Sequence, residues 1–267
     1  MTVAIYIVAG LFLPLYPQSI LPGMLLRRGG SALANEAQPR PWGKAALLLL
    51  FPLVGAALIA LARSLPGGDD PRVLSGFALW GGGTSLLYAF RLLSARDGQI
   101  WFGQLFVSAL ALTWIGIAHG VPPLLPALAL SVSLLPLLLL LDELARRFGI
   151  ARVGLYPGLN LRMPLFSLLF VFAVLAAVAI PLSPAFFAVA GIAVGGAVAN
   201  ELLTLLPLGL SWLLWTWAGT RLLGGIVFGE PREDLVYRDL DRRPALVYAG
   251  ALLVLAAAGV LSVGRLL

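Results

Sequence analysis

Glu201 and Arg221 are the two formal charges standing within stretches otherwise apolar enough to cross a bilayer. The segments 45–62, 73–90, 100–118, 121–141, 164–182 and 245–264 hold no Asp, Glu, Lys, Arg or His. A charge inside a membrane is costly and marks ion or proton handling. Glu201, in ANELL, is therefore the first candidate proton carrier, and Arg221 is its partner by charge. The competing reading puts Glu201 near the membrane surface, just before a turn expected around 204–209, where water or a neighbouring subunit satisfies it. At about 1.5 Å per residue, Arg221 lies about 20 Å from that turn and Glu201 about 6 Å, so no direct pair is expected. Arg221 is expected instead to snorkel, or to hold a carbonyl or a partner's carboxylate.

Weaker candidates complete the inventory. Asp142 and Glu143 are adjacent carboxylates, a pattern open to acid–base work, but they lie one turn before Arg146 and Arg147, so pairing along the helix accounts for them. His119 titrates in the useful range, yet in AHGVPP it reads as a solvated loop residue without a second ligand. Gln99, Gln104, Ser108, Ser131 and Ser133 are the polar groups from which a water-assisted path could be assembled. The GGDDP turn offers two carboxylates, short of the six to eight oxygens calcium takes. With no cysteine and one histidine, thiolate-ligated metals, disulfides and poly-histidine sites are excluded, and no metal or cofactor is expected.

The elements that must position these residues are helices in a bilayer. Of the 267 residues, 60% are hydrophobic and 11% charged, and the mean hydropathy is +0.98, a composition outside the range of soluble domains. A span takes roughly 20 apolar residues. The runs give about nine transmembrane helices, near 3–26, 45–63, 73–93, 99–119, 121–142, 164–182, 184–204, 207–228 and 244–264. They are continuously apolar, so an all-α polytopic membrane protein is expected rather than an alternating β-barrel. Pro14, Pro17 and Pro22 should break the first helix, which lacks a signal-peptide pattern and is read as retained. The net charge of +6 reflects Lys and Arg at helix ends with no aromatic-interleaved basic patch, so no nucleic acid is expected as a partner. Alternating nine helices places Arg27, Arg28, Arg40, Lys44, Arg91, Arg96, Arg146, Arg147, Arg152, Arg162 and Arg265 on one side. Arg63, Arg72, Arg232, Arg238, Arg242 and Arg243 fall on the other, which weakly favours an outside N-terminus.

The run LLLLLDELARRFGIARVGLYPGLNLRMPLFSLLFVFAVLAAVAIPLSP resembles the antiporter-like membrane subunits of respiratory complex I and their relatives in multisubunit cation/proton antiporters, membrane-bound hydrogenases and inorganic-carbon uptake complexes. The resemblance rests on Arg146 and Arg147 in the turn, Gly158 and Leu159, Met163 and Pro164 opening the next helix, and the break at Ile180 and Pro181. It continues through Arg221, Phe228 and Gly229, and then Asp239, Asp241, Arg242 and Arg243. It covers about 45–264, and implies a single integral membrane domain over 1–267, with a divergent helix and loop at 1–44 and discontinuous helices. It also implies that the loop 229–244 is cytoplasmic, in conflict with the charge count, and that the membrane is of the bacterial cytoplasmic type.

Departures from the family pattern carry the functional expectation. At the turn matching the family's Asp-x-Lys-Arg, Asp97 is kept but Gln99 stands at the lysine and no arginine follows. Buried lysine, histidine or glutamate positions of the family fall on LALSVSLLPLLLL, on SPAFFAVAGIA near Val189, and on LLLLFPLVGAALIALAR. Most of the first inverted repeat of a full-length subunit has no counterpart. The expectation is an accessory, structural or coupling subunit of a complex I-like or antiporter-like assembly. Its partners would be the lipid bilayer, a full-length antiporter-like subunit and further subunits, possessing between them any oxidoreductase activity. The alternative is a minimal proton- or substrate-conducting subunit using Glu201 and waters, for example in proton-driven inorganic-carbon uptake. A lipid-acting enzyme would show paired acidic motifs, which the sequence lacks.

Overall fold

The computed structural model describes residues 2–21, 41–198 and 202–262. Its helices are α1 (Thr2–Phe12), α2 (Pro41–Arg63), α3 (Pro71–Ser94), α4 (Gly98–Ala111), α5 (Thr113–Ala118), α6 (Leu124–Phe148), the one-turn α7 (Leu159–Arg162), α8 (Pro164–Ala177), α9 (Pro184–Val198), α10 (Leu202–Ile226) and α11 (Arg242–Leu261). Among the described residues, six spans are long and apolar enough to cross a membrane: Gly43–Arg63, Pro71–Ser94, Gly98–Ala118, Leu124–Phe148, Leu202–Ile226 and Arg242–Leu261, with α4 and α5 forming one of them. Three shorter apolar helices, α1, α8 and α9, complete the nine apolar segments. The span Gly98–Ala118 is the most enclosed and α11 the least, so the bundle is built around α4 with α11 at its margin.

The short helices are halves of broken passes. α8 has 14 residues and α9 has 15, which gives each about 21–22 Å, less than a 30 Å core. α8 starts beside the end of α6, where Asp239 also lies. The far end of α9 reaches His119, against which Gly195 and Gly196 rest, so the chain crosses between 164 and 198 once. The first pass is broken in the same manner. Thr2 and Tyr6 bond the carbonyls of Pro66 and Gly68 at one face, whereas Ser19 meets Tyr88 well along α3 toward the other.

Backbone freed inside a membrane needs partners, and both breaks recruit indole N–H groups. Trp114 Nε1 donates to the carbonyl of Leu13 at 2.9 Å and Trp80 Nε1 to that of Tyr16 at 2.7 Å. At the second break, Trp212 Nε1 donates to the carbonyl of Ala179 at 3.2 Å, and the N–H of Ala185 donates to Ser133 Oγ at 3.0 Å. Ala179 and Leu182 take positive φ there, so the helix stops rather than bends.

With α8 and α9 forming one pass, the basic loops gather on one face. The nine-fold alternation separates the loop 229–241 from the other basic loops. In the structure, Lys44, Arg91, Arg96, Arg146, Arg147, Arg152, Arg162, Arg221, Arg232, Arg238, Arg242 and Arg243 all lie toward one face, here the basic face, as the ends of α3, α6 and α10 and the starts of α2, α4, α8 and α11 meet there. Among the described residues, Arg63 and Arg72 remain for the opposite face.

Close approach between helices is set by glycine. A Cβ on Gly81 would stand 2.6 Å from Trp114 Cβ and 2.7 Å from the Ala111 carbonyl, so α3 lies directly on the α4–α5 span. The Tyr6, Phe77 and Trp114 rings fill the space beside it, with Phe77 and Trp114 stacked at 5.1 Å.

Candidate functional site

At the basic face, three helix ends converge on one carboxylate. The first turns of α2 bring Lys44, the start of α4 brings Gln99, and the last two turns of α6 bring Asp142. Lys44 Nζ and Gln99 Nε2 both donate to Asp142 Oδ1 at 2.7 Å. The Lys44 and Asp142 side chains are 7% and 17% exposed, so this is a largely enclosed ion pair. α4 starts where it does because Asp97 caps it, accepting from the N–H groups of Gln99 and Ile100. Gly98 N–H donates to the carbonyl of Ala151, and Val153 N–H to that of Arg96, which ties this turn to the loop after α6.

Asp142 is thus not paired along its own helix, as the sequence spacing suggests. Glu143 is: it accepts from Arg146 at 2.6 Å and from Arg147 at 2.5 Å. Successive residues on a helix point about 100° apart, so the two adjacent carboxylates, both largely enclosed, reach different partners. Arg147 also donates to the carbonyl of Arg238. Asp239 accepts from the N–H groups of Leu165 and Phe166 at 2.9 and 3.0 Å, capping α8 from 74 residues away. The loop 229–241 is therefore docked on the bundle end rather than a solvated connector. Within it, the hydrogen bond from Arg232 holds the Asp234 carboxyl below its ordinary range, and burial pushes the nearby Tyr156 phenol above its own.

Gly158, prominent in the sequence pattern, has a local reason. Its φ is +76°, and a Cβ would stand 2.5 Å from the Gly229 carbonyl, so the backbones of the 154–158 turn and the docked loop touch.

Deeper in the bundle the polar groups are hydroxyls. Ser85 Oγ donates to Ser211 Oγ at 3.0 Å, Ser108 Oγ donates to the Ser85 carbonyl at 2.8 Å, and Trp215 Nε1 donates to Ser108 Oγ at 2.8 Å. These residues are fully buried and link α3, α4 and α10. None ionises near neutrality. Gln99 Oε1, Gln104 Oε1, Ser131 Oγ and Ser167 Oγ are buried oxygens without a protein partner.

The remaining candidates are dispersed. His119 ends α5 at the opposite face, where its Nε2 lies 3.0 Å from Thr204 Oγ1, so it is packed between helices rather than loose in a loop. Glu201 lies outside the described residues. The turn expected at 204–209 is helix, since α10 runs from Leu202 through Pro207. Arg221 sits toward the other end of α10, with Nη1 donating to the carbonyl of Leu93 at 3.0 Å. The structure brings together Asp142, Gln99 and Lys44, and keeps Arg221 and His119 apart from them. Lys44 is the member sequence reasoning missed: it reads as the last residue of a polar loop, and its partner is 98 residues away. No group of three or more potential metal-ligating side chains occurs among the described residues.

Comparison with known proteins fits this geometry. No family model matches the chain. An uncharacterized protein of Aquifex aeolicus (strain VF5) is 23% identical over 158 residues, 59% of this chain and 65% of that protein. A chain of respiratory complex I from Thermus thermophilus superposes with a TM-score of 0.83 at 21% identity, over 97% of this chain and 54% of that one. A chain of an archaeal membrane-bound sulfane sulfur reductase gives 0.79 at 13% identity, over 99% and 53%. A chain of the Mrp complex from Dietzia sp. DQ12-45-1b gives 0.67 at 15%, over 99% and 65%. The chain shares its fold with these chains of complex I, the sulfane sulfur reductase and the Mrp complex, and it spans about half the length of the first two.

Proposed function

We propose that this protein is an accessory membrane subunit of a complex I-like or antiporter-like ion-translocating assembly, holding a neighbour in place rather than pumping. The observation carrying this reading is the content of the bundle interior. Between the Lys44–Asp142 pair at the basic face and His119 at the opposite one, the described residues supply only hydroxyls, amides and indoles. A proton relay needs ionisable groups within hopping distance. The next polar side chain along α4 from Gln99 is Gln104, about 7.5 Å further.

Asp142, its side chain 17% exposed, is held by an ammonium and an amide on the same oxygen. That arrangement suits a clamp on three helix ends better than a group that cycles its proton. The basic face is the cytoplasmic one in this reading, by the excess of Lys and Arg there, and the docked loop 229–241 would be available to soluble partners.

A second reading is a minimal proton- or substrate-conducting subunit, for example in proton-driven inorganic-carbon uptake. The unpartnered oxygens of Gln99, Gln104, Ser131 and Ser167 favour it, since waters could bridge them. One experiment separates the two. The tagged protein is purified from its native membrane in mild detergent and the bound proteins identified by mass spectrometry. Ion transport by the recovered assembly is then compared for the parent, Asp142→Asn and Glu201→Gln. The accessory reading expects a full-length antiporter-like subunit in stoichiometric amount and transport within about twofold for both variants. Isolation of the chain alone, or loss of transport in an assembled Glu201→Gln variant, would sink it.

A further inference from the structure

We propose that the cavity beneath Arg221 is a binding site for the phosphate headgroup of an anionic phospholipid. The cavity, of about 540 Å³, opens at the basic face between the end of α3, the start of α4 and the last turns of α10. Arg221 and Arg96 both line it, and no carboxylate does. Asp97, next in sequence to Arg96, spends its Oδ1 on the cap of α4. Glu143 is committed to Arg146 and Arg147.

The depth suits a lipid headgroup. Arg221 lies five residues before the end of α10 at Ile226, about 7.5 Å below it, a distance its long side chain can bridge by snorkelling toward a headgroup phosphate. Its side chain is exposed on the surface of the bundle, open to a lipid headgroup. A guanidinium carries five N–H donors in a planar fork that matches phosphate oxygens. Nη1 donates one of them to the Leu93 carbonyl, which fixes the direction of the fork without neutralising its charge. A cation held at that depth needs an anion.

The walls supply the other half of a lipid site. Phe90, 56% exposed, and the half-buried Leu93 continue apolar surface from the cavity along the outer side of α3. A diacyl phospholipid would place its phosphate between Arg221 and Arg96 and lay a chain along Phe90. Basic pockets of this kind between membrane helices take anionic headgroups. Two guanidiniums and no acid select a net-anionic lipid over a zwitterionic one bearing the same phosphate.

The test is native mass spectrometry of the delipidated full chain, titrated with phosphatidylglycerol, phosphatidylcholine or inorganic phosphate. Retention of phosphatidylglycerol over phosphatidylcholine is expected, weakening about tenfold in Arg221→Gln and in Arg96→Gln. Arg221→Lys should restore part of it, which a folding defect would not. Equal retention of the two lipids, or retention unaffected by both glutamine variants, overturns the proposal. So does binding of inorganic phosphate with no lipid preference. A fourth overturning result is a cross-link from position 221 to a partner subunit's acidic residue in the native assembly with no lipid recovered.

Discussion

Lys44→Met removes one partner of an enclosed ion pair and leaves Asp142 with Gln99 alone. Breaking a buried pair from one side costs about 3–5 kcal/mol. The 17% exposure of the Asp142 side chain lets water compensate in part, which puts the expected loss near the lower end, about 3 kcal/mol. For a chain of this size that corresponds to a melting temperature lowered by about 6–12 °C, at roughly 2–4 °C per kcal/mol. Tryptophan fluorescence during heating in mild detergent reads the transition, and the chain has seven tryptophans. Asp142→Asn tests the other side, and the double variant closes a cycle. Because neither single change leaves the other charge satisfied, the double variant should be less destabilised than the sum, with a coupling of about 2 kcal/mol. If Lys44→Met shifts the midpoint by less than about 1 °C, or the cycle shows no coupling, the clamp reading of this cluster fails; so small a shift is well under 1 kcal/mol.

Other parts of the structure make separate commitments. Trp212→Phe keeps the ring but deletes the N–H that satisfies the Ala179 carbonyl; it should cost about 1–3 kcal/mol in thermal unfolding, and an unchanged midpoint would count against the indole's role. Gly158→Ala places a side chain at φ +76° and 2.5 Å from the Gly229 carbonyl. It should loosen the docked loop, read as faster proteolysis within 229–241 than in the parent. Asp239→Ala should lose the cap on α8, about 1–2 kcal/mol, with faster amide exchange at Leu165 and Phe166. Asp239→Asn should retain most of the protection, and equal behaviour of the two variants would contradict the capping account.

The expectations that failed share a cause. Sequence spacing pairs Asp142 and Glu143 alike with Arg146 and Arg147, because local reach along a helix is all it can weigh. The three-dimensional packing turned Asp142 toward Lys44, 98 residues away. The apolar segments 164–182 and 184–204 read as two spans because hydropathy sees apolar length but not depth. The break lies inside the bundle, where Trp212 and Ser133 take up the freed backbone, and the packing gathers the loop 229–241 with the other basic loops.

The sequence by itself determined the solvent, the secondary structure and the poverty of ionisable groups, since these follow from composition and run length: apolar side chains must leave water, and backbone in lipid must bond to itself. It also marked both helix breaks through Pro14, Pro17, Pro181 and Pro184, although Pro136 and Gly81 to Gly83, which read as breaks in the same way, lie inside continuous helices, and the stretch from Arg146 to Pro181 carried the resemblance to the fold. Only tertiary structure decided which distant residues meet. Lys44 with Gln99 and Asp142, Asp239 with the start of α8, and the tryptophans with the broken backbone are contacts between chain segments far apart in sequence. They depend on the rotation and depth of helices whose apolar surfaces pack without a strict periodic stripe to announce them.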